Sequence, residues 1–166
     1  MRKAMWVVPL ALAMAAAGAE PAQAQVMFGP QVAWGDDADL AIGGRLGFGL
    51  STGEGAFSRL QIFGSFDYFL DCESCTYFEI TPFARIPVAI SETLDTYVGA
   101  GLNIARISFD EDIAGVDFSN TETGLALIGG LEFPISTLRS FGEIRLTIGG
   151  AEQLVLSFGF LFGGGG

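Results

Sequence analysis

Hydrophobic and polar positions alternate along most of this chain. The alternation is clearest at residues 153–162, where one face carries Leu154, Leu156, Phe158, Phe160 and Phe162. The opposite face carries small or mixed residues, namely Val155, Ser157, Gly159 and Leu161. A period of two residues is typical of a β-strand, since a helix would scatter both sets around its circumference. The stretch therefore predicts a strand with one large apolar face.

The same alternation recurs in seven earlier segments. We predict strands at residues 26–34, 40–50, 59–70, 77–90, 97–109, 123–133 and 140–149, followed by the one at 153–162. Turn-forming stretches such as GDDAD, STGEG and SETLD separate them. No segment after the N-terminus shows helical periodicity, and 166 residues suit a single domain. The pattern indicates an all-β domain of eight strands.

Charged residues within these strands lie opposite the large aliphatic side chains. They are Arg45, Arg59, Asp67, Glu79, Arg85, Glu132, Glu143 and Arg145. In a soluble sandwich or a lipocalin-like barrel, the charged face would point to water. Here every strand has a bulky apolar face and the chain has a single Lys, which favours lipid outside and charge inside. A closed barrel also satisfies every strand edge, and tilted strands of about nine to eleven residues can cross a bilayer.

We therefore predict an eight-stranded antiparallel up-and-down transmembrane β-barrel. A barrel of this size is filled by its own side chains, and buried charges must pair. Inward glycines would leave room for Arg and Phe side chains from neighbouring strands; they are Gly43, Gly47, Gly49, Gly99, Gly101, Gly124 and Gly130. We expect the charged residues above to form an interior polar network, with Arg45, Arg85, Glu143 and Arg145 near mid-depth. A structural plug is favoured over a gate or a substrate path.

The N-terminus has the organisation of an export signal. Arg2 and Lys3 precede an apolar stretch at residues 5–17, and residues 22–24 form an A-x-A cleavage site. The apolar stretch is too short to cross about 30 Å of hydrocarbon as a helix. We predict a cleaved signal peptide at residues 1–24, a barrel at residues 25–162, and a glycine tail at residues 163–166.

Composition narrows the classes of function. The chain is 50% hydrophobic with a mean hydropathy of +0.47, but it has a formal net charge of -11 and a pI near 4.1. Such acidity argues against nucleic acid as a partner, because a phosphate-binding face needs clustered Lys and Arg. His is absent altogether.

Three phrases of the sequence resemble the OmpA/OmpX-like family of small outer-membrane β-barrels. They are YVGAGLNIA at residues 97–105, the run from LEFPIS to FGEIRL at residues 131–146, and the aromatic strand that ends in Phe162. The resemblance covers residues 25–162. It implies an outer-membrane location reached through the periplasm, termini in the periplasm, longer loops outside, and contact with lipid including lipopolysaccharide. It also implies insertion by the barrel assembly machinery, and we expect a monomer.

We predict a structural, surface-interaction or stress-related role without catalysis. The alternatives are a narrow outer-membrane channel or, less favoured, a lipid-modifying enzyme. Lipid A deacylase and palmitoyltransferase barrels rely on a His, which this chain lacks, so those activities do not carry over. Asp67 and Glu79 could lie close enough for acid/base chemistry, but a salt-bridged interior is favoured. No cofactor is expected.

The predicted outer loops are acidic. Three of them carry Asp36, Asp37, Asp39, Asp71, Glu73, Asp110, Glu111, Asp112 and Asp117, without Lys or Arg. Carboxylate oxygens could bind Ca²⁺, but no EF-hand spacing is present. Solubility, or repulsion from anionic glycolipid, explains the acidity as well, and we predict no metal site.

Arg106 breaks the pattern because it falls on the lipid-facing side of its strand. A cation there costs about 2 to 4 kcal/mol at the membrane midplane but little near the interface. Arg106 lies close to a predicted outer loop. It could contact a lipid phosphate, or a bulge could turn it inward.

The two cysteines, Cys72 and Cys75, are spaced as in a redox C-x-x-C motif. That motif draws its reactivity from a helix N-terminus, whereas these residues fall in a predicted loop between strands. In an oxidising compartment, a disulfide that braces the loop is the favoured interpretation.

Overall fold

The computed structural model describes residues 25–50, 59–71, 75–88, 95–109, 119–135 and 138–163. These residues form eight strands: β1 (Gln25–Gly35), β2 (Asp39–Leu50), β3 (Leu60–Phe69), β4 (Cys75–Val88), β5 (Asp95–Phe109), β6 (Ser119–Ile135), β7 (Leu138–Ile148) and β8 (Gln153–Gly163). No helix in the described residues is long and apolar enough to span a membrane. The predicted signal peptide lies outside the described residues and stays a prediction.

Each strand pairs antiparallel with its neighbours in sequence, and β1 pairs with β8 to close the barrel. At this seam Phe28 lies opposite Phe162, and Val32 lies opposite Phe158. Gly29 and Pro30 have no partner in the β1–β8 register, which is consistent with the missing N–H of proline. The predicted eight-stranded up-and-down barrel is confirmed.

The two ends of the barrel differ. The end we call the loop end carries the turns at residues 36–38 and 149–152, and the opposite end, which we call the termini end, carries Gln25 and Gly163. Asp39 has a φ of 55° where β2 begins, and Gly149 and Gly150 have φ values of 75° and 66°. Glycine adopts this left-handed conformation without steric cost, so both positions suit a tight turn from β7 into β8.

The outside of the barrel is apolar on every strand. Phe158, Phe28 and Ile144 are 59%, 55% and 53% exposed. Each of the other strands also exposes large aliphatic or aromatic side chains, such as Ile42, Phe66, Ile80, Leu102 and Leu125. We call these eight residues, one from each strand, the apolar belt. In water this surface would be unfavourable, whereas in hydrocarbon it is the expected surface of a spanning barrel.

Inward aromatic rings lie over glycines of the adjacent strand. The directly paired residues are Gly47 with Phe63, Gly101 with Phe83, Gly130 with Tyr97, and Gly159 with Phe141. A Cβ on Gly47 would lie 2.3 Å from the Phe63 ring, and one on Gly130 would lie 2.4 Å from the Tyr97 ring. The predicted use of inward glycines, to leave room for large neighbours, is confirmed at Gly47, Gly101 and Gly130.

Candidate functional site

The barrel interior contains three groups of hydrogen bonds, each centred on an arginine. In the Arg45 cluster, Arg45 Nη1 and Nη2 donate to Glu143 Oε2 and Oε1 over 2.9 and 3.0 Å. Arg45 Nε donates to Gln31 Oε1 over 2.7 Å, and the Tyr97 hydroxyl donates to Glu143 Oε2 over 2.8 Å. Two parallel N–H···O bonds fix both side chains in one orientation, which makes this a strong and specific ion pair.

The Arg145 cluster lies nearer the loop end. Arg145 Nη1 donates to Thr81 Oγ1 over 2.7 Å and lies 3.2 Å from Asp67 Oδ2, while Nη2 donates to Glu79. Gln31 Nε2 donates to Asp67 Oδ1, which joins this cluster to the Arg45 cluster. The two arginines therefore belong to one continuous network of buried side chains.

The Arg85 cluster lies nearer the termini end. Arg85 Nε donates to Gln61 Oε1 over 2.7 Å, and its Nη2 donates to Glu132. Arg139 Nη1 lies 3.5 Å from Glu132 Oε2, and the Arg139 side chain is 39% exposed. The Glu132 carboxylate therefore lies between the buried Arg85 and the partly exposed Arg139 at the rim of the barrel.

Aromatic rings separate the Arg45 and Arg85 clusters. The Arg45 guanidinium lies 3.7 Å from the centroid of the Phe141 ring, and that of Arg85 lies 4.1 Å from those of Phe63 and Tyr97. Phe63 also stacks on Phe83 with 5.6 Å between ring centroids. We call Phe63, Phe83, Tyr97 and Phe141 the aromatic layer. Cation–π contacts hold it to the arginines on both sides, so the described interior is filled at mid-depth.

The structure places seven of the eight charged residues of the predicted network inside the barrel: Arg45, Asp67, Glu79, Arg85, Glu132, Glu143 and Arg145. The assignment of Arg59 is wrong. Because β3 begins at Leu60, Arg59 lies in the preceding turn, where it is exposed.

Sequence reasoning missed the uncharged members of the network. Gln31, Gln61, Thr81 and Tyr97 each donate to or accept from a charged network residue. Their signal was present, since each falls on the inward register of its strand. Restricting the search to charged residues hid it.

Asp67 and Glu79 do lie together, as directly paired residues of β3 and β4. Both bind Arg145, and Glu79 also accepts a hydrogen bond from the Tyr77 hydroxyl over 2.6 Å. The favoured interpretation, a salt-bridged interior, describes this geometry. A free acid/base pair does not, because both carboxylates are engaged by the same guanidinium.

Arg106 lies on the outward face of β5, where it is exposed and directly paired with Phe78 of β4 and Thr121 of β6. The register is continuous around it, so the bulge that would turn it inward is wrong. Arg106 lies three positions before Phe109, where β5 ends at the loop end. The side chain is therefore placed at the edge of the apolar surface rather than at its middle.

The remaining chemistry predicted for the loops falls partly outside the described residues. Cys75 begins β4, but Cys72 lies outside the described part of the chain, so the disulfide stays a prediction. Glu73 and the acidic residues at 110–112 and 117 also lie outside it. The described residues contain no group of three or more Asp, Glu, Cys or His side chains that could hold a metal ion.

The chain has the fold of a small eight-stranded up-and-down β-barrel, an architecture that it shares with solved outer-membrane barrels of the OmpA/OmpX-like type. No protein-family model and no curated protein sequence matches the chain. Among solved structures, the N-terminal barrel domain of Pseudomonas aeruginosa OprF is similar, with 17% identity over 83% of this chain and 97% of that one, and a TM-score of 0.60.

Two further solved structures share this architecture. Ail, the attachment invasion locus protein of Yersinia pestis, is 18% identical over 84% of this chain and 95% of its own, with a TM-score of 0.52. Neisserial surface protein A is 15% identical over 83% and 94%, with a TM-score of 0.54. The resemblance expected from the sequence is confirmed at the level of the fold.

Proposed function

We propose that this protein is a closed, non-conducting outer-membrane barrel with a structural role and no catalytic activity. One observation carries the proposal: bidentate and stacked arginines lock the aromatic layer across the described interior. A solute path would have to displace Phe141 and Tyr97 and break the buried Arg45–Glu143 pair. Removing one partner of such a pair costs about 3 to 5 kcal/mol.

Conductance measurements in planar bilayers test whether the barrel interior is closed to ions. We expect the purified barrel to give no stepwise current, with heat-modifiable migration on gels showing that the protein is folded. The double variant Phe63→Ala/Phe141→Ala, which thins the aromatic layer, should leak more than Phe66→Ala/Phe158→Ala, which removes outward rings. Regular conductance steps from the unaltered barrel would overturn the proposal.

Catalysis is tested separately with lipid A as substrate. In the described interior, Asp67 and Glu79 both bind the same arginine, Arg145. The chain also has no His that could act as a catalytic base. We therefore expect mass spectrometry to find lipid A unchanged after incubation with the folded barrel. A deacylated or acylated product that requires the folded protein would identify an enzyme instead.

The proposed location and partners follow from the apolar belt and the similar folds. We place the barrel in the outer membrane as a monomer, exported through the periplasm and inserted by the barrel assembly machinery, with its termini in the periplasm. After depletion of that machinery, cell fractionation should show unfolded protein accumulating in the periplasm instead of the outer membrane. Folded protein in the inner membrane would contradict this assignment.

We propose that Arg106 contacts a lipid phosphate, such as that of lipopolysaccharide, at the outer edge of the membrane. Arg106→Ala should lose part of the thermal stabilisation that anionic lipid gives over neutral lipid, while Arg106→Lys should keep most of it. Arg59→Ala is the control, because Arg59 is also exposed but lies at the opposite end of the barrel. Equal behaviour of the two alanine variants would exclude a specific contact.

We also propose the disulfide between Cys72 and Cys75. The C-x-x-C spacing and export to an oxidising compartment support it. Mass spectrometry of the purified barrel, alkylated without reduction, should find neither thiol modified. Quantitative alkylation of both thiols would refute it.

A further inference from the structure

A cavity of about 330 Å³ opens at the loop end of the barrel, above the Arg145 cluster. Four carboxylates line it: Asp37 in the turn between β1 and β2, Asp39 at the start of β2, Asp71 after β3, and Glu152 before β8. None of its described lining residues is Lys or Arg. We call this cavity the acidic cup. Its carboxylates come from three separate connections, so the closed barrel is what brings them together.

A buried amide without a partner borders the acidic cup. Gln153 is 5% exposed, yet neither its Nε2 nor its Oε1 has a hydrogen-bond partner within the described structure. Its amide fits against Gly35, where a Cβ would lie 2.2 Å from Nε2. Leaving such a group unsatisfied costs about 1 to 3 kcal/mol, so buried amides almost always bind protein, water or ligand. Gln153 lines the cup, so the cup is the described cavity next to this amide.

A second unsatisfied polar side chain lies beside Gln153. Thr147 lies directly opposite Gln153 in the β7–β8 register, and its buried hydroxyl also lacks a partner. Gln153, which lines the cup, and Thr147 beside it are therefore both unsatisfied within the described structure, whereas most polar groups of the deeper clusters are paired.

The cup also has an aromatic side. Phe69 and Tyr77 line it, with 4.9 Å between their ring centroids and 38° between their planes. The hydrogen bond from the Tyr77 hydroxyl to Glu79 fixes the orientation of that ring. Aromatic rings beside carboxylates are a favourable environment for an ammonium group, which gains both ion pairing and cation–π attraction.

The walls of the cup are held in place before any ligand binds. The Leu154 N–H donates to Asp36 Oδ1 over 2.9 Å, and the Asp36 N–H donates to the Leu154 carbonyl over 3.1 Å. These bonds tie the β1–β2 turn to β8. A pre-organised site loses less conformational entropy on binding.

We propose that the acidic cup binds a small organic cation with two or more ammonium groups, of the alkyl diamine or polyamine class. A bare divalent metal fits less well, because Ca²⁺ needs six to eight converging oxygens and the described residues show no such group. A volume of about 330 Å³ lies within the range of small-molecule sites. The amide of Gln153 offers one donor and one acceptor to the ligand or to a water that it holds.

Titration calorimetry with spermidine tests the proposal on the full barrel in nanodiscs of neutral lipid. At about 0.15 M salt, where charges beyond roughly 8 Å are screened, we expect saturable binding to a single site. Asp71→Asn and Glu152→Gln should each weaken binding about two- to fivefold, as expected when one exposed ion pair is lost. Asp95→Asn, an exposed carboxylate at the termini end, is the matched control and should bind as the unaltered barrel does.

Gln153→Met provides a second readout. It keeps the shape of the side chain and removes the amide, so it should weaken spermidine binding while leaving the barrel as stable or more stable. No binding, or equal weakening by Asp95→Asn and the cup variants, would overturn the proposal. Tighter binding of Ca²⁺ alone, lost in Asp71→Asn, would replace it with a metal site.

Discussion

Arg45 has every polar atom of its guanidinium engaged while its face lies on Phe141. Its side chain is fully buried, and that of Glu143 is 3% exposed. A pair this buried contributes little when intact, since its Coulomb energy offsets a large desolvation cost. Its effect on stability therefore appears when one partner is removed and the other is left uncompensated.

We predict that Arg45→Ala lowers the free energy of unfolding by about 3 to 5 kcal/mol, because Glu143 is left buried and unpaired. The double variant Arg45→Met/Glu143→Leu should recover most of this loss. Urea unfolding in lipid vesicles measures both, and Arg59→Ala should stay within about 0.5 kcal/mol of the unaltered barrel. A double variant no more stable than Arg45→Ala would mean that the pair itself holds the interior together.

Neighbouring strands pack together where an inward aromatic ring of one strand lies over a glycine of the next. Tyr97 of β5 lies over Gly130 of β6, and this fit brings its hydroxyl to Glu143. The adjacent Gly129 points outward, and a Cβ there would meet nothing within 4 Å. Of these two consecutive glycines, only Gly130 has a side chain packed against it.

We predict that Gly130→Ala destabilises the barrel by about 1 to 3 kcal/mol, because its Cβ displaces the Tyr97 ring. Gly129→Ala should be neutral or slightly stabilising, by up to about 1 kcal/mol, since it only restricts the unfolded chain. Unfolding in lipid vesicles compares the two. Equal effects would show that the ring moves aside without cost.

The outward apolar face of the strands gives a prediction that depends on depth in the membrane. Ile144 lies near the middle of β7 and is 53% exposed, whereas Leu154 lies near the loop end of β8 and is 37% exposed. Ile144→Arg should cost about 2 to 4 kcal/mol in a bilayer, and Leu154→Arg about 0 to 1 kcal/mol. In detergent the difference should shrink. Equal costs in bilayers would place the membrane midplane elsewhere.

The whole barrel depends on a seam between the first and last strands. Phe28 and Phe162 stack across it with 5.7 Å between ring centroids and 24° between their planes. The β1–β8 register is interrupted at Gly29 and Pro30, so side-chain contacts supplement fewer ladder bonds there. Closure joins residues from opposite ends of the described chain and is the most non-local step of folding.

We predict that Phe162→Ala destabilises the barrel by about 0.5 to 1.5 kcal/mol more than Phe160→Ala, because only the first removes the stack across the seam. Phe160 is the control, since it lies on the same outward face of β8 and opposite Ser140. Unfolding and refolding in vesicles, followed by heat-modifiable migration, would measure both. A larger loss from Phe160→Ala would contradict a special role for the seam.

Local pattern by itself determined the strands, their faces and the closed barrel. A period of two is a property of consecutive residues, so the outward position of Phe158 and the inward position of Glu143 could be predicted without knowing any partner. The strand boundaries were less certain. The error at Arg59 arose because alternation continued one residue beyond the point where pairing stops.

Only the tertiary structure decided which inward residues meet. Arg145 of β7 binds Asp67 of β3 and Glu79 of β4, and neither of these strands is a neighbour of β7. Such contacts depend on the stagger between strands around the whole barrel, and no single strand encodes it. The same stagger leaves Gln153 without a partner in the described structure, beside four carboxylates that come from three separate connections.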